Sequence, residues 1–166
     1  MLADNHRSEI KAILEKYPSE QKRSAVMPLL HLALQEYGHI TPAALVEIAE
    51  LLELEPTEVG SLIGFYTLYY DEQGGKYRIQ ICTDTPCALR GAEEFAEQLC
   101  AQLGIRFGET TEDGLFTVEE VKCLAACDRA PVFQVQDAEG IHYHEDQTVE
   151  SAMALIQEIR KRHKDG

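Results

Sequence analysis

Long apolar segments are absent from this chain of 166 residues. No window approaches the roughly 18 to 20 consecutive apolar residues that a membrane-spanning helix requires. The most apolar runs, such as MPLLHLAL, are short and are interrupted by polar residues. With 45% hydrophobic residues, the chain is long enough for one ordinary domain or two small ones. We therefore expect a soluble globular protein that has no direct membrane contact.

Basic residues are also scarce. The formal net charge is −14, with 5 basic and 12 acidic residues in 1–75, and 10 and 17 in 76–166. Nucleic-acid binding depends on clustered Lys and Arg side chains that neutralise phosphates. The one basic cluster, RKRHK near the C-terminus, is most simply a solvated helix end. Nucleic acid is therefore not an expected partner.

Several short motifs are missing as well. The first ten residues, MLADNHRSEI, lack the basic region and apolar core of a secretory signal, so we expect a reducing compartment, the cytoplasm. There is no Gly-x-Gly-x-x-Gly or other phosphate-cradling loop for a dinucleotide. There is no Cys-x-x-Cys, which argues against thioredoxin-type disulfide exchange. No nucleophile and base pair is recognisable, and no catalytic residue is assigned.

Residues 1–72 are predicted to form a helical bundle. Four short helices are indicated, in NHRSEIKAILEKY, QKRSAVMPLLHLALQEYG, PAALVEIAELLEL and EVGSLIGFYTLYY. The first helix has an apolar stripe formed by Ile10, Ile13, Leu14 and Tyr17. Gly38 is placed as a helix C-cap, and Thr41 as an N-cap followed by Pro42. Pro28 should kink the second helix or begin it.

The pattern changes at DEQGGK, residues 71–76, where adjacent glycines indicate a linker, so a second domain is predicted over 76–166. Strands are indicated in KYRIQIC, LFTVEEVKC, PVFQVQD and GIHYHED, and helices in PCALRGAEEFAEQLCAQLG and TVESAMALIQEIRKR. The order β-α-β-β-β-α begins with a strand, helix and strand, which implies a right-handed parallel crossover. The predicted fold class is α/β, an N-terminal helical bundle followed by a thioredoxin-like domain.

Four of the five cysteines lie at the ends of predicted elements, namely Cys82, Cys87, Cys123 and Cys127. Parallel strands joined by a crossover helix bring their C-terminal ends to one edge of a sheet, so both cysteine pairs should meet there. Cys100 lies in the middle of a helix and is interpreted as a small core residue.

Three interpretations of these four thiols are open. Cys-x4-Cys, 35 intervening residues and Cys-x3-Cys suit a [2Fe-2S] cluster, because each iron takes two ligands and tolerates wide loops. A structural zinc ion held by four thiolates, in an interaction module, is not excluded by the spacing. Four unrelated structural thiols are the third interpretation.

An anionic cluster would need donors around its sulfurs. Thr85 as N-cap and Pro86 as the first helical residue are predicted to direct free backbone N–H groups toward them. Asp84 is expected to face solvent, whereas Arg90 and Arg129 are placed to raise the reduction potential.

Two longer stretches resemble a known family. CTDTPCALRGA followed by VKCLAACDRAPVFQV resembles the thioredoxin-like [2Fe-2S] ferredoxins. EYGHITPAALVEIAELLELEPTEVGSLIGFYTLYY resembles the helical region of the E-type subunit of NADH-quinone oxidoreductase, the respiratory complex I. The resemblance implies that one [2Fe-2S] cluster is bound by Cys82, Cys87, Cys123 and Cys127. It also implies an electron-transfer subunit that is not catalytic alone.

The resemblance implies partners and a location too. The chain would dock on an NADH-binding flavoprotein subunit of the F type, which alone would carry FMN and NADH. It would lie in the peripheral arm on the cytoplasmic face of the inner membrane, and could form a homodimer when isolated. The equivalent subunit of an NAD-linked hydrogenase or formate dehydrogenase shares every residue argument and stays open.

Two positions depart from the family pattern. CLAAC has Ala125 where the family usually has glycine, so Ala125 is strained if the position requires a positive φ. Pro86 is a less usual residue before the second ligand. Ala130 and Pro131 stand where thioredoxin-like folds often have a cis-proline.

Two further groups receive structural interpretations. His142 and His144 share a face of one strand and are expected to face solvent rather than bind a metal. The aromatic run FYTLYY is expected to pack in the core and between domains.

Overall fold

The computed structural model describes residues 2–165. These residues form two compact units that divide between Gln73 and Gly74. The first unit is helical, and the second contains a four-stranded sheet with helices. The predicted α/β fold class is confirmed. Within the described residues, no helix has both the length and the apolar character needed to cross a membrane.

In the described part of the chain, the first unit has five α-helices, which are α1 (Leu2–Asn5), α2 (Arg7–Leu14), α3 (Val26–Tyr37), α4 (Pro42–Leu52) and α5 (Pro56–Phe65). Gly38 ends α3 with a left-handed φ of 73°, as predicted. The Thr41 hydroxyl accepts the N–H of Ala44 at 3.1 Å and caps α4, also as predicted. Pro28 lies in the first turn of α3, where an N–H has no intrahelical acceptor to lose.

Three predicted helix boundaries are wrong. The first predicted helix, 5–17, is shorter than expected, since α2 covers only Arg7–Leu14 and is separated from the unpredicted α1 by His6, whose φ of −123° is not helical. The second starts as a 3₁₀ segment, Ser19–Ala25, before it becomes α-helical. The fourth ends at Phe65, because Tyr66 adopts an extended backbone with ψ of 116°.

The packing predicted for FYTLYY is only partly correct. Phe65 is 76% exposed and Leu68 is 39% exposed, so a core role for these two side chains is wrong. Tyr69 and Tyr70 are partly buried against the helical core. The Tyr69 hydroxyl also donates to the carbonyl of Met27 at 3.2 Å.

The core of the first unit includes the fully buried side chains of Leu29, Leu30, Ile40, Ile48 and Val59. One charged residue lies beside it. Glu47, in α4, is 8% exposed, and its carboxylate accepts the backbone N–H of Leu2 at 2.8 Å and of Ala3 at 2.7 Å. A buried carboxylate thus satisfies the free N–H groups at the start of α1.

The strands of the second unit are β1 (Tyr77–Cys82), β2 (Phe116–Val121), β3 (Phe133–Gln136) and β4 (Ile141–His144), in the order β2-β1-β3-β4. Strands β1 and β2 are parallel, with Cys82 opposite Val121. Strand β3 is antiparallel to β1, and β4 is antiparallel to β3. The predicted crossover and hairpin are therefore confirmed. Because β1 and β2 end together, the segments that follow them start at one sheet edge.

Helices α7 (Ala92–Leu103) and α8 (Val149–Asp165) share one apolar core with the sheet. Its members include Ile79, Ile81, Phe95, Leu99, Val118, Phe133 and Ile156. The rings of Phe95 and Phe133 stack with their centroids 6.2 Å apart. This core holds the sheet edge on which the cysteines lie.

The single helix predicted from Pro86 to Gly104 is broken. Helix α6 covers only Thr85–Ala88, and α7 starts again at Ala92. Between them Gly91 adopts a φ of 86°, a conformation that residues with a Cβ rarely adopt. The left-handed end of α7 at Gly104 is as predicted.

Gly74 and Gly75, at the start of the second unit, lie close to strand β2 and the residue before it. The N–H of Gly75 donates to the Thr117 hydroxyl at 2.7 Å. A Cβ at Gly75 would lie 2.6 Å from the carbonyl oxygen of Leu115, which is too close for any side chain. Glycine is therefore required here for steric reasons.

Candidate metal centre

The four predicted ligands lie at or just after the ends of secondary-structure elements. Cys82 is the last residue of β1, Cys87 lies in α6, Cys123 follows β2, and Cys127 begins a 3₁₀ turn over Cys127–Arg129. Cys82 and Cys87 are buried, Cys127 is partly buried, and Cys123 is exposed. All are free thiols in this structure.

The structure brings the two cysteine pairs together. The thiols of Cys82 and Cys87 are hydrogen-bonded to each other, and Cys87 also interacts with the thiol of Cys127. The backbone N–H of Cys123 reaches the sulfur of Cys82. The CTDTPC and CLAAC loops therefore meet at the edge of the sheet where the parallel crossover delivers them.

The sulfur of Cys82 is surrounded by donors. Burial alone would raise the pKa of this thiol, but hydrogen bonds from the backbone N–H groups of Asp84, Leu124 and Cys123, together with the Cys87 thiol, lower it below its ordinary value. Donors were expected from the helix start between Cys82 and Cys87, and on that side the observed donor is the N–H of Asp84. The two donors from CLAAC, the N–H groups of Cys123 and Leu124, were not predicted. They stabilise a thiolate at Cys82, which lies outside the CLAAC loop.

The surroundings of Cys87 raise the pKa of its thiol, whereas those of Cys82 lower it. Burial first, and then the hydrogen bonds and negative charges of Cys82 and Cys127, raise its pKa to about 12. A thiolate here is unfavourable unless a cation compensates it, and metal binding deprotonates thiols for this reason. The site therefore combines a favoured thiolate at Cys82 with a thiol at Cys87 that stays protonated unless a cation binds beside it.

The start of α6 corrects one prediction. Asp84, not Thr85, is the N-cap, and its carboxylate accepts the N–H of Thr85 at 2.9 Å. Thr85 is the first helical residue and Pro86 the second. The Asp84 carboxylate is thus bound to its own helix start while its backbone N–H contacts Cys82.

The CLAAC loop is conformationally strained. Cys123 has a φ of 55° and Ala125 a φ of 59°, so both occupy the left-handed region. For Ala125 this is the condition under which strain was expected at the position of the family's glycine. The Ala130–Pro131 peptide bond that follows is cis.

An apolar shell lines the inner side of the site. Ala92, Ala130 and Val132 pack with Cys82 and Cys87, and Leu124 and Ala126 cover them in part. Apolar surroundings limit solvent access and lower the local dielectric around a metal centre. The thiols of Cys82, Cys87 and Cys127, the three N–H donors and this shell fit an iron–sulfur cluster, and Cys123 contributes its backbone N–H here while its side chain is exposed.

Comparison with known proteins agrees with this donor set. A sequence model of the thioredoxin-like [2Fe-2S] ferredoxin family matches residues 10–160. The chain belongs to this family.

Curated relatives of the chain are named as subunits of NADH-quinone oxidoreductase. The chain is 45% identical over 134 residues to NADH-quinone oxidoreductase subunit 2 of Thermus thermophilus, and the match covers 81% of this chain and 74% of the relative. It is 42% identical over 154 residues to one E-type subunit of the NADH-quinone oxidoreductase of Rhizobium meliloti, with 93% and 88% covered. The E-type subunit of Rickettsia felis is 42% identical over 147 residues, with 88% and 86% covered. These relatives are subunits of an oxidoreductase complex.

A solved structure shares the fold. The NAD⁺-reducing [NiFe]-hydrogenase in its air-oxidised state superposes with a TM-score of 0.68 at 22% identity, over 82% of this chain. The chain spans 23% of the length of that hydrogenase chain. The likeness confirms the thioredoxin-like fold expected for this ferredoxin.

Membership of the ferredoxin family bears on the zinc alternative. A structural zinc site requires four ligands about one ion, whereas a [2Fe-2S] core takes two at each iron. The family to which the chain belongs is described by a [2Fe-2S] cluster, which favours an iron–sulfur cofactor over zinc.

The remaining candidates lie outside the site. Cys100 is buried in α7 within the main core of the second unit, as predicted. His142 is exposed, but His144 is partly buried against the ring of Phe133, with centroids 5.1 Å apart. Burial and the neighbouring His142 lower the pKa of His144.

Two sets of hydrogen bonds beside the site were not predicted from the sequence, although Arg90 itself was singled out there. The hydroxyl of Thr83 donates to Glu120 at 2.6 Å and accepts the Lys122 ammonium at 2.8 Å. Arg90 donates from Nε to the carbonyl of Ala130 at 3.2 Å. Each bond joins the CTDTPC side to the segment that carries CLAAC, but their sequence separations of 37 to 40 residues give no local signal.

Proposed function

We propose that the chain binds one [2Fe-2S] cluster through Cys82, Cys87, Cys123 and Cys127, and serves as an electron-transfer subunit of an NADH:quinone oxidoreductase. The observation that carries the proposal is the meeting of the two cysteine loops around Cys82, with three backbone N–H groups on its sulfur. Such a cluster, when bound, accepts and returns one electron at a time. The protein stabilises the ligands, limits access of water on the inner side and leaves Cys123 at the surface.

The proposed partner is an NADH-binding flavoprotein subunit of the F type, whose FMN exchanges an electron with the cluster. The names of the relatives support an assignment to that complex. In this proposal residues 1–72 form a helical domain and residues 76–166 the ferredoxin domain. The chain would be held on the cytoplasmic face of the inner membrane through its partners, and FMN and NADH would be bound by the partner alone.

A second candidate is the equivalent subunit of an NAD-linked hydrogenase or formate dehydrogenase. The fold similarity to the NAD⁺-reducing hydrogenase favours it as the alternative. Affinity purification of the chain from its own cells, followed by identification of co-purifying proteins, separates the two. Recovery of quinone oxidoreductase subunits supports the first candidate, and recovery of hydrogenase or formate dehydrogenase subunits in their place contradicts it.

The cluster itself is tested on the isolated chain. Anaerobic purification should give a coloured protein with about two irons and two sulfides per chain, and an electron paramagnetic resonance signal that appears on reduction. A colourless protein with stoichiometric zinc and no iron would support the four-cysteine zinc module and would reject the cluster.

A further inference from the structure

After the last cysteine, the backbone carbonyl groups of residues 129–132 each accept a hydrogen bond. We call residues 127–132 the strap. The donors are the N–H of Asp146 to Arg129 at 2.7 Å, Nε of Arg90 to Ala130 at 3.2 Å, the N–H of Gln147 to Pro131 at 2.9 Å, and the N–H of Cys82 to Val132 at 3.1 Å. The bonds alternate between residues 146–147 on one side and the CTDTPC side on the other.

Arg90 differs from the other donors. Of these four donors, Arg90 alone uses its side chain. The other three are backbone N–H groups, which do not depend on the identity of the side chain. Its own backbone N–H donates to the carbonyl of Cys87 at 3.0 Å, so Arg90 ends the turn that carries this thiol. Its side chain therefore connects the Cys87 turn to the strap that begins at Cys127.

The acceptor, the Ala130 carbonyl, belongs to a residue that packs beside the buried cysteines. Ala130 is 4% exposed and packs in the same apolar shell as Cys82 and Cys87. A buried carbonyl that loses its donor carries a desolvation penalty, and a bond from a charged donor is stronger than one between neutral groups. Loss of the Arg90 side chain would therefore loosen the strap where it contacts the first cysteine loop.

Arg129 has a different role, although the sequence placed the two arginines together. Its guanidinium pairs with Glu145 at 3.3 Å and with Asp146 at 2.8 Å, on the opposite side of the strap. Two carboxylates thus offset its charge, which weakens its expected effect on a reduction potential. Arg90 binds a neutral carbonyl instead.

We propose that Arg90 is a positioning residue for the four-cysteine site, which keeps the strap and Cys127 seated against the loop of Cys82 and Cys87. The inference about the cluster rests on the proposed function. The inference about the strap does not, because its hydrogen bonds join protein atoms alone.

The first experiment uses the full-length apoprotein. Hydrogen exchange is measured by NMR for the amides of Cys82, Asp146 and Gln147, which donate to the strap, in Arg90→Ala, Arg90→Lys and the wild type. Arg90→Ala should accelerate exchange on the order of tenfold, since a lost charged hydrogen bond favours local opening, and Arg90→Lys should accelerate it less. The control is Arg106→Ala, an 88% exposed arginine paired with Glu109 in the same unit, which should leave these amides unchanged.

The second experiment uses the loaded protein. Bleaching of the visible spectrum by an iron chelator should be on the order of tenfold faster in Arg90→Ala than in the wild type, and the visible circular dichroism, which reports ligand geometry, should change. Arg90→Lys should restore part of both properties, while the urea midpoint of unfolding changes little. If Arg90→Ala does not fold, Arg90→Lys still decides, since an intermediate acceleration of exchange and bleaching is expected.

Wild-type exchange and bleaching rates in the Arg90 variants would overturn the proposal, as would equal changes in Arg106→Ala. A wild-type chain that takes up no iron would reject the proposed function instead. In that case the exchange measurement on the apoprotein alone decides whether Arg90 holds the strap.

Discussion

The thiols of Cys82 and Cys87 share a hydrogen bond, yet their pKa values move in opposite directions. Burial acts on both, but backbone N–H groups more than compensate at Cys82, whereas at Cys87 nearby thiol groups add to the effect of burial. A positive ion between them would favour both thiolates at once. This relationship distinguishes the pair from ordinary buried cysteines such as Cys100.

The ligand assignment predicts a clear result for serine variants. Cys87→Ser and Cys123→Ser should weaken or abolish cluster assembly, because a hydroxyl is a poor replacement for a thiolate ligand of iron. Cys100→Ser should keep the visible spectrum of the wild type. The measurement is iron content and absorbance after anaerobic purification. Loss of the spectrum in the Cys100 variant would show that the ligand set is wrong.

Ala125→Gly should stabilise the protein. Ala125 has a φ of 59°, and the left-handed conformation costs residues with a Cβ about 1–2 kcal/mol, part of which is offset by the greater freedom of glycine in the unfolded chain. We expect a gain of about 0.5–1 kcal/mol in the free energy of unfolding of the apoprotein, measured in urea. The control is Ala126→Gly, at a negative φ of −122°, which should destabilise instead. Equal effects of the two changes would contradict the strain.

Glu47→Gln should destabilise the first unit. The carboxylate accepts the N–H groups of Leu2 and Ala3, and an amide would present a donor to one of them. We expect a loss of about 1–3 kcal/mol in the free energy of unfolding. Glu50→Gln, at an exposed position of the same helix, is the matched control and should have little effect. A urea titration that gives equal midpoints for both variants would disprove the role of Glu47.

His6 should make the stability of the first unit depend on pH. Hydrogen bonds to Glu36, at 2.7 Å, and to Glu9 raise its pKa above the ordinary value of about 6.5. Because the folded value is the higher one, the stabilisation is complete below the ordinary pKa and is lost as pH rises through the folded value. The difference in Tm between wild type and His6→Ala should therefore be largest at acidic pH and should shrink above neutrality.

The partner of His6 provides the control for this titration. In a Glu36→Gln background, the same substitution of His6 should show a much weaker dependence on pH. A difference in Tm that is constant across the pH range in both backgrounds would rule out the ionic contact.

Gly75→Ala should destabilise the second unit. The added methyl group would lie 2.6 Å from the backbone oxygen of Leu115, and a backbone atom cannot move aside as a flexible side chain does. Overpacking of this kind costs about 1–3 kcal/mol. Gly64→Ala, with nothing within 4 Å of the new methyl group and a position inside helix α5, should be neutral or stabilising. Thermal unfolding that ranks the two variants the other way would refute the steric argument.

Much of the site was predictable because it depends on regular structure. The parallel crossover between β1 and β2 was enough to place Cys82 near the CLAAC loop, and helix ends at Gly38 and Thr41 followed from local residue preferences. The donors from Cys123 and Leu124 were not predictable. They depend on a left-handed φ at Cys123, which only the closed loop imposes.

The burial of polar residues in strand β1 could not be predicted from the sequence either. Gln80 occupies the alternate, polar face of β1, yet it is fully buried and its side chain accepts a bond from Gln134 at 2.6 Å. Arg78 on the same face is also buried and pairs with Glu119. Alternation predicts which residues share a face, but not whether other parts of the chain cover that face.

The pairing of Cys82 with Val121 across the parallel crossover also has a consequence for biosynthesis. A growing chain releases Cys82 and Cys87 first, and 35 residues separate them from Cys123. The full set of thiols exists only after Cys127 has left the ribosome and β2 has found its place beside β1. The proposed cluster would therefore be assembled late, in a domain that is already largely folded.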